Sequence, residues 1–222
     1  MIKISPSILS CDFSHLADEI KRTADAGADM IHIDVMDGAF VPNITFGAPV
    51  VKSFRKYTDI IFDVHLMIMN PLRFIDDFAN AGADIITIHI ESCENVRETL
   101  EYIRSKGIKT GLSIKPKTDP ETLREFLPYT DMILVMSVEP GFGGQGFIPE
   151  TLDNMRYVAK MIKEEGYDIP IEVDGGVSEK NADIVTETGA TILVAGSAVY
   201  KNPDIEKAIA DIRACGEKGL SK

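Results

Sequence analysis

The chain has 222 residues, of which 45% are apolar and 26% are charged, and its formal net charge is −12. This apolar content is enough for one large core and excludes a disordered polar chain. The acidic balance argues against nucleic-acid and membrane partners, which need clustered Lys and Arg, although backbone amides can still bind the phosphate of a small molecule.

Short apolar segments rich in Ile and Val recur along the whole chain and predict eight buried strands. In chain order they are Ile2–Ile8, Met30–Val35, Ile60–Leu66, Asp84–Ile90, Ile108–Ile114, Met132–Met136, Ile171–Val173 and Thr191–Val194.

The segments between these strands have helical features. A stripe at helical spacing predicts the first helix, and Leu123 with Phe126 and Leu127 predicts a shorter one. The first stripe consists of Phe13, Leu16, Ile20 and Ala24. Capping residues or carboxylates predict helix starts at Asn70-Pro71, Asp119-Pro120-Glu121 and Ser178-Glu179. Glycines at three helix exits predict left-handed C′ residues; they are Gly27, Gly82 and Gly189.

Eight strands that alternate with helices imply a parallel sheet covered by helices. We predict an α/β fold of the (β/α)8 TIM-barrel type, with residues 1–222 as a single catalytic domain; an open doubly wound sheet is the alternative. In either fold, the chemistry belongs at the carboxyl ends of the strands.

Polar residues at three of these strand ends predict a metal site. His32 and Asp34 are two residues apart, so they point to the same side of their strand, and the same holds for Asp63 and His65. Asp174 lies where the seventh strand ends. Such a set suits one divalent ion, Zn, Fe(II), Mn or Co, whereas a lone strand histidine is usually a core residue. For Asp63 we favour a role in orienting His65, or a salt bridge deeper in the barrel, over direct ligation.

Glycine-rich loops follow the last three predicted strands. They contain Pro140–Gly146, Gly175-Gly176, and Gly196-Ser197 before a possible short helix. Glycine lets the backbone approach an anion, and the loops after strands seven and eight bind phosphate in many such barrels. The alternative is that these glycines serve tight turns only.

Three methionines lie at strand ends close to the predicted ligands. Met36 and Met67 each follow a predicted ligand by two residues, and Met136 ends the sixth strand. They are either adaptable core filling or an apolar cover that limits the access of water.

Long motifs in the chain resemble those of the ribulose-phosphate 3-epimerase family over essentially its whole length. They are Ser5–Ser10, His32–Gly38 with Phe40–Asn43, Asp63–Met67, Ser137–Gln145, Glu172–Val177 and Val194–Ala198. The resemblance implies a TIM barrel that interconverts D-ribulose 5-phosphate and D-xylulose 5-phosphate. The similar D-allulose-6-phosphate 3-epimerases share the catalytic set, so a ketohexose phosphate is the alternative substrate.

The resemblance also implies roles for individual residues. Asp34 would accept and Asp174 donate the proton in one direction, and one divalent cation would be bound by His32, Asp34, His65 and Asp174. Ser7, His65 and Asp174 would contact the sugar, and Met36, Met67 and Met136 would cap the site. The phosphate would lie against Gly141, Phe142, Gly143, Gly144, Gly175, Gly176, Gly196 and Ser197.

Three residues depart from the family's common pattern: Ala39, Glu139 and Gly146. A carboxylate at Glu139 would repel phosphate if it pointed into the site, so we expect it to face away. A decarboxylase or synthase on the same barrel would need a catalytic lysine; Lys115 and Lys117 follow the fifth strand, but no lysine accompanies Asp34 or Asp174. A non-catalytic sugar-phosphate-binding protein is the third possibility.

The cellular setting is predicted from three absences. No window reaches the roughly 18 apolar residues of a membrane span, and the first residues lack the pattern of a secretory signal. Cys11, Cys93 and Cys215 are odd in number and far apart, which disfavours a disulfide scaffold. We expect a reduced, cytoplasmic protein. Barrels of this kind often associate, so the sequence leaves both a monomer and a homo-oligomer open.

Overall fold

The computed structural model describes residues 1–221 and contains eight parallel strands that form a nearly closed barrel. Every predicted strand is present, with its ends within two residues of the expected ones. The strands are β1 (Lys3–Pro6), β2 (Met30–Met36), β3 (Ile61–Met67), β4 (Ile85–His89), β5 (Lys109–Ile114), β6 (Met132–Met136), β7 (Ile171–Asp174) and β8 (Ile192–Ala195).

Helices cover the outside of this barrel. The α-helices are α1 (Leu16–Asp25), α2 (Ala48–Arg55), α3 (Ile75–Asn80), α4 (Val96–Ser105), α5 (Thr151–Glu164), α6 (Ala182–Thr186), α7 (Ser197–Tyr200) and α8 (Ile205–Leu220). The link from β5 to β6 is a 3-10 helix, Pro120–Tyr129, capped by the Asp119 side chain as predicted. Pro128 lies inside it, where a proline cannot donate a backbone hydrogen bond. The short α7 is the extra helix that the Gly196-Ser197 motif predicted.

The helix starts agree less well with the sequence patterns than the strands do. Asn70 has a left-handed φ of 51° and its side chain caps nothing, and Pro71 opens a 3-10 turn before α3. Helix α6 begins at Ala182 rather than near Ser178, whose backbone N–H donates to Asn181 instead. Phe13 lies in a separate 3-10 turn and is 48% exposed, so it does not extend the buried face of α1.

The helix exits follow the prediction. Gly27, Gly82 and Gly189 have φ values of 82°, 94° and 107°, the left-handed region that favours glycine. The three cysteines, Cys11, Cys93 and Cys215, are free.

The barrel closes between β1 and β2, the two ends of the hydrogen-bonded sheet. One parallel bridge joins Ser7 to His32. Lower down, the backbone of Ile4 accepts from the Asp29 N–H at 3.0 Å, and the Ile4 N–H donates to the Asp29 carboxylate at 2.8 Å. The closure therefore brings Ser7, which follows β1, beside His32 of β2.

The barrel interior changes from apolar to polar along its axis. Its floor is formed by Met30, Ile85, Met132 and Ile192, with Ile61 packed against them. The polar residues above this floor are fully buried; they include Ser5, His32, Asp63, Thr87 and Glu172. Gly111 leaves room for Thr87, since a Cβ at Gly111 would lie 2.0 Å from the Thr87 hydroxyl. The polar cluster therefore begins inside the barrel and continues to its mouth.

Within residues 1–221, no helix has both the length and the apolar content needed to cross a bilayer.

Candidate active site

Two imidazoles and two carboxylates converge at the carboxyl ends of β2, β3 and β7. One ligand atom from each of His32, Asp34, His65 and Asp174 lies within 4.8 Å of the others. His32 Nε2 lies 3.3 Å from His65 Nδ1 and 3.4 Å from Asp34 Oδ1, and His65 Nδ1 also lies 3.4 Å from that oxygen. The structure thus brings together all four residues expected to bind a metal.

These spacings fit a divalent cation. Four ligands placed tetrahedrally about 2.0–2.1 Å from one ion would be about 3.3 Å apart, because an edge of a tetrahedron is roughly 1.6 times the distance from centre to corner. Three of the separations between ligand atoms match this value, and Asp174 Oδ2 is slightly farther, at 4.0 Å from His32 Nε2. Two nitrogens and two carboxylate oxygens are a donor set that Zn, Mn, Co or Fe(II) accepts. The cluster could therefore hold a metal ion.

Asp63 orients His32. Its Oδ2 lies 2.5 Å from His32 Nδ1, which leaves His32 Nε2 facing the cluster. The sequence favours Asp63 as a partner of His65, which lies two residues later on β3, but the register places His32 beside Asp63 and Asp34 beside His65. Side chains at the same level of adjacent strands meet, so the contact runs across the sheet.

His89 belongs to the site, although the sequence patterns did not single it out. Its Nε2 lies 2.9 Å from His65 Nε2, and its Nδ1 lies 3.1 Å from Glu91 Oε2. Burial lowers the pKa of His89 to about 4, so its ring is neutral near pH 7. A signal was available, because His89 ends β4 and lies two residues after the inward-pointing Thr87.

The two aspartates of the cluster differ in proton affinity. Burial opposes the ionisation of Asp34, but its polar neighbours, His32 foremost, more than offset it and hold the pKa of Asp34 far below its usual range. Ser7 Oγ also donates to Asp34, at 2.5 Å. Burial and the nearby charge of Asp34 raise the pKa of Asp174 to about 6. One carboxylate is therefore firmly ionised while the other takes a proton more readily.

Beneath the cluster, Glu172 is fully buried on β7, two residues before Asp174. Burial and the charge of Asp63 raise the pKa of Glu172 well above its usual range, so this carboxyl holds a proton more readily than an exposed glutamate. Burial disfavours a charge on His32, but Asp63 and Asp34 outweigh it and raise the pKa of His32. His32 therefore lies among three carboxyl groups, those of Asp34, Asp63 and Glu172.

A single cavity lies above the cluster. Its lining includes ten of the eleven residues expected to contact substrate: Ser7, Gly141, Phe142, Gly143, Gly144, Asp174, Gly175, Gly176, Gly196 and Ser197. The eleventh, His65, is fully buried and lies beneath the cavity with His32. The cavity is thus open to a ligand along the glycine loops and closed below by the four-residue cluster.

The loop after β7 requires its glycines. Gly175 and Gly176 have φ values of 126° and 66°, and a Cβ at Gly176 would lie 2.4 Å from the backbone nitrogen of Phe147. Ser137, which follows β6, holds the same loop, because its hydroxyl donates to the Gly175 carbonyl at 2.7 Å. Backbone alone therefore forms this wall of the cavity.

The three methionines also line the cavity. Met36, Met67 and Met136 are each buried, and Met36 pairs with Met67 in the register of β2 and β3. Their thioethers form an apolar rim around the polar cluster.

Three charged residues near the loops, Glu139, Lys115 and Lys117, lie outside the cavity lining. Glu139 is exposed, and its backbone carbonyl accepts from the Gln145 amide. The ammonium of Lys115 lies over the ring of Phe40, 3.9 Å from its centre, and Lys117 is exposed. Glu139 therefore faces away from the site, as expected, and neither lysine lies with Asp34 and Asp174.

Comparisons with known proteins agree on one family. The model described as "Ribulose-phosphate 3 epimerase family" matches residues 3–200. A Bacillus subtilis ribulose-phosphate 3-epimerase is 50% identical over 214 residues, which cover 96% of this chain and 99% of the relative. The Escherichia coli K12 ribulose-phosphate 3-epimerase is 48% identical over 212 residues, which cover 95% and 94%.

Solved structures with low sequence identity support the fold alone. The 3-hexulose-6-phosphate synthase of Salmonella typhimurium superposes with a TM-score of 0.72 at 18% identity, covering 98% of this chain and 100% of that one. A thiamine phosphate pyrophosphorylase of Pyrococcus furiosus gives 0.67 at 20% identity, covering 99% and 97%.

Proposed function

The chain belongs to the ribulose-phosphate 3-epimerase family, and we propose that it inverts carbon 3 of its substrate with Asp34 and Asp174 as the two proton-transferring groups. It is an isomerase that interconverts D-ribulose 5-phosphate and D-xylulose 5-phosphate. One observation carries the proposed mechanism: two carboxylates, Asp34 from β2 and Asp174 from β7, reach one site and line one cavity.

Epimerisation at this carbon needs two groups on opposite sides. The carbon 3 hydrogen is weakly acidic because carbon 2 is a ketone, and its removal leaves a planar enediolate. One carboxylate cannot easily reach both faces of a held substrate. We assign proton removal in one direction to Asp34, which is ionised, and proton return to Asp174, which holds a proton more readily. The roles exchange in the reverse direction.

His32, Asp34, His65 and Asp174 would hold one divalent cation, and Zn, Fe(II), Mn and Co are the candidates. When bound, such a cation would supply positive charge that lowers the energy of the enediolate. Ser7 donates to Asp34 and keeps that carboxylate oriented toward the substrate. His65 would also lie below the sugar.

The phosphate end of the substrate would lie against the glycine loops. The support is that the loops after β6, β7 and β8 line one cavity with Asp34 and Asp174. Backbone N–H groups there can bind an anion without a net positive protein. Holding the phosphate fixes carbon 3 between the two aspartates, so binding energy at one end serves the reaction at the other.

We assign Met36, Met67 and Met136 the role of an apolar cover that keeps water from the enediolate. Met67→Gln should increase the fraction of the enediolate that loses its carbon 4 hydroxide and becomes a 2,3-dicarbonyl phosphate, because a polar side chain admits water that can protonate the departing hydroxide. The matched control is Met69→Gln, since Met69 is 41% exposed and lies outside the cavity lining. Formation of the dicarbonyl by-product, trapped with an aromatic diamine, is measured together with turnover, and equal by-product from both variants would count against the cover.

The remaining expectations are proposals of the same kind. We propose that residues 1–222 act as one catalytic domain, that the protein works in the cytoplasm as its free cysteines favour, and that it binds no nucleic acid. Sedimentation of the purified protein would decide between a monomer and a homo-oligomer.

The substrate class is tested by incubation with D-ribulose 5-phosphate or D-allulose 6-phosphate in deuterated water. We expect faster conversion of the pentulose phosphate, with deuterium incorporated at carbon 3 of the xylulose 5-phosphate that forms. Preference for the hexulose phosphate would instead identify the alternative substrate. Binding without exchange would indicate a sugar-phosphate-binding protein.

A further inference from the structure

A chain of hydrogen bonds connects a surface loop to the underside of the metal cluster. It runs from Glu91 Oε2 to His89 Nδ1 (3.1 Å) and from His89 Nε2 to His65 Nε2 (2.9 Å). We propose that His89 and Glu91 are positioning residues that fix the tautomer of His65, so that its Nδ1 presents a lone pair to the cation. This positioning role rests on the proposed function, because it assumes that the cluster holds a cation.

Counting donors and acceptors leads to one assignment. A carboxylate only accepts, so the hydrogen between Glu91 and His89 is on His89 Nδ1. A neutral imidazole carries one N–H, so His89 Nε2 has only a lone pair. The two Nε2 atoms are 2.9 Å apart and need one hydrogen between them, which His65 must supply. His65 Nδ1 is then free of hydrogen on the side that faces His32 and Asp34.

The start of this chain is held by the loop after β5. The Lys115 backbone N–H donates to Glu91 Oε1 at 2.8 Å, and the Thr118 hydroxyl donates to the same oxygen at 2.5 Å. These two donors occupy Oε1 and leave Oε2 for His89. The Glu91 carboxylate therefore has a fixed orientation and presents an acceptor, not a donor, to the ring.

Ring packing keeps His89 in place. Its ring meets the His65 ring edge to edge, with centroids 4.9 Å apart and planes at 28°, and Phe40 packs against it at 4.8 Å. The Lys115 ammonium covers the Phe40 ring. The hydrogen bond between the two rings and the Phe40 contact limit rotation of the His89 ring.

His32 is oriented in a similar way, but through its other ring nitrogen. Asp63 takes the Nδ1–H of His32 and leaves Nε2 for the cluster, whereas the chain from Glu91 takes the Nε2–H of His65 and leaves Nδ1. The cluster therefore receives opposite nitrogens from its two histidines. Carboxylates that hold the second nitrogen of a ligand histidine commonly support metal affinity in this way.

The decisive measurement is nitrogen NMR of protein labelled with 15N-histidine. The chain has four histidines, which keeps the spectrum simple, and His15→Leu removes the exposed one for assignment. Spectra at about pH 8, where ordinary imidazoles are neutral, are recorded without metal and with Zn2+. We expect His65 to keep its hydrogen on Nε2 and to bind Zn2+ through Nδ1. Binding through Nε2 would overturn the proposal without any variant.

Two substitutions at position 89 test the energetic role. His89→Leu removes the acceptor and should weaken Zn2+ affinity, measured by competition with a chromogenic chelator, by roughly 10- to 100-fold. His89→Gln can accept from His65 through its side-chain oxygen and should recover part of the loss, while His15→Leu should bind like the wild type. Wild-type affinity in His89→Leu would overturn the proposal. If the wild-type protein binds no divalent cation, the proposed function is refuted. The tautomer of His65 in the metal-free spectra would then still show whether the hydrogen bonds from Glu91 and His89 fix it.

Discussion

Asp174→Asn should stop net epimerisation while the carbon 3 hydrogen of one epimer still exchanges with solvent. Asparagine cannot transfer the proton, and the loss of a positioned acid or base costs on the order of 10²–10⁴ in rate. Asp34 remains, with its oxygens held by Ser7 and close to both histidines. It can still remove and return the hydrogen on its own side of the substrate, so exchange would outlast inversion.

The reciprocal variant makes this expectation specific. Asp34→Asn should also abolish conversion, but it should preserve exchange for the opposite epimer, because Asp174 serves the other face. Both epimers are incubated separately in deuterated water, and deuterium at carbon 3 is followed by NMR. Asp153→Asn is the control, since Asp153 pairs with Arg156 on the surface of α5, and its turnover should stay near the wild-type value. Efficient conversion in Asp174→Asn would refute the two-aspartate mechanism.

Removal of divalent metal should produce the second large loss. Chelation followed by desalting should lower kcat on the order of 10²–10³-fold, the rate equivalent of several kcal/mol of charge stabilisation in the transition state. Addition of Zn2+, Mn2+, Co2+ or Fe2+ should restore activity, and the most effective ion identifies the physiological candidate. Metal content and activity are measured on the same samples, because their ratio must remain constant during titration.

Loss of activity must be separated from loss of fold. The metal-free protein should keep its circular dichroism spectrum, since the barrel core is built from apolar side chains outside the cluster. Addition of metal should raise its Tm, because a ligand that binds only the folded state stabilises it. His32→Ala should bind metal poorly, and His15→Ala should bind like the wild type. Full turnover at a metal content far below one ion per chain would contradict the expectation.

The relation of sequence to structure differs between strands and helices. Runs of Ile and Val located the eight strands within two residues, because a strand buried on both faces needs apolar side chains throughout. Helix starts were less predictable. Asn70 and Ser178 match capping patterns, yet neither caps an α-helix in the fold. A side chain caps a helix only when the backbone before the helix has the right geometry, and the residue type alone does not fix that geometry.

For the site, alternation along a strand was sufficient to choose a face. A side-chain period of two places His32 with Asp34, and Asp63 with His65, on the inner side of the barrel. Glycine spacing located the loops after β6, β7 and β8, which line the same cavity. His89 follows the same alternation on β4, but the sequence did not predict it as a site residue because β4 contains no second titratable residue.

The sequence by itself determined which residues point inward and at which ends of the strands they collect, because those properties depend on local periodicity. Only the tertiary structure decided which of them touch. The register between parallel strands sets Asp63 against His32, Asp34 beside His65, and Met36 beside Met67. Register results from the packing of the whole barrel and leaves no mark in one strand's own sequence, so the partners of each histidine, and hence which nitrogen it offers, became visible only in the folded chain.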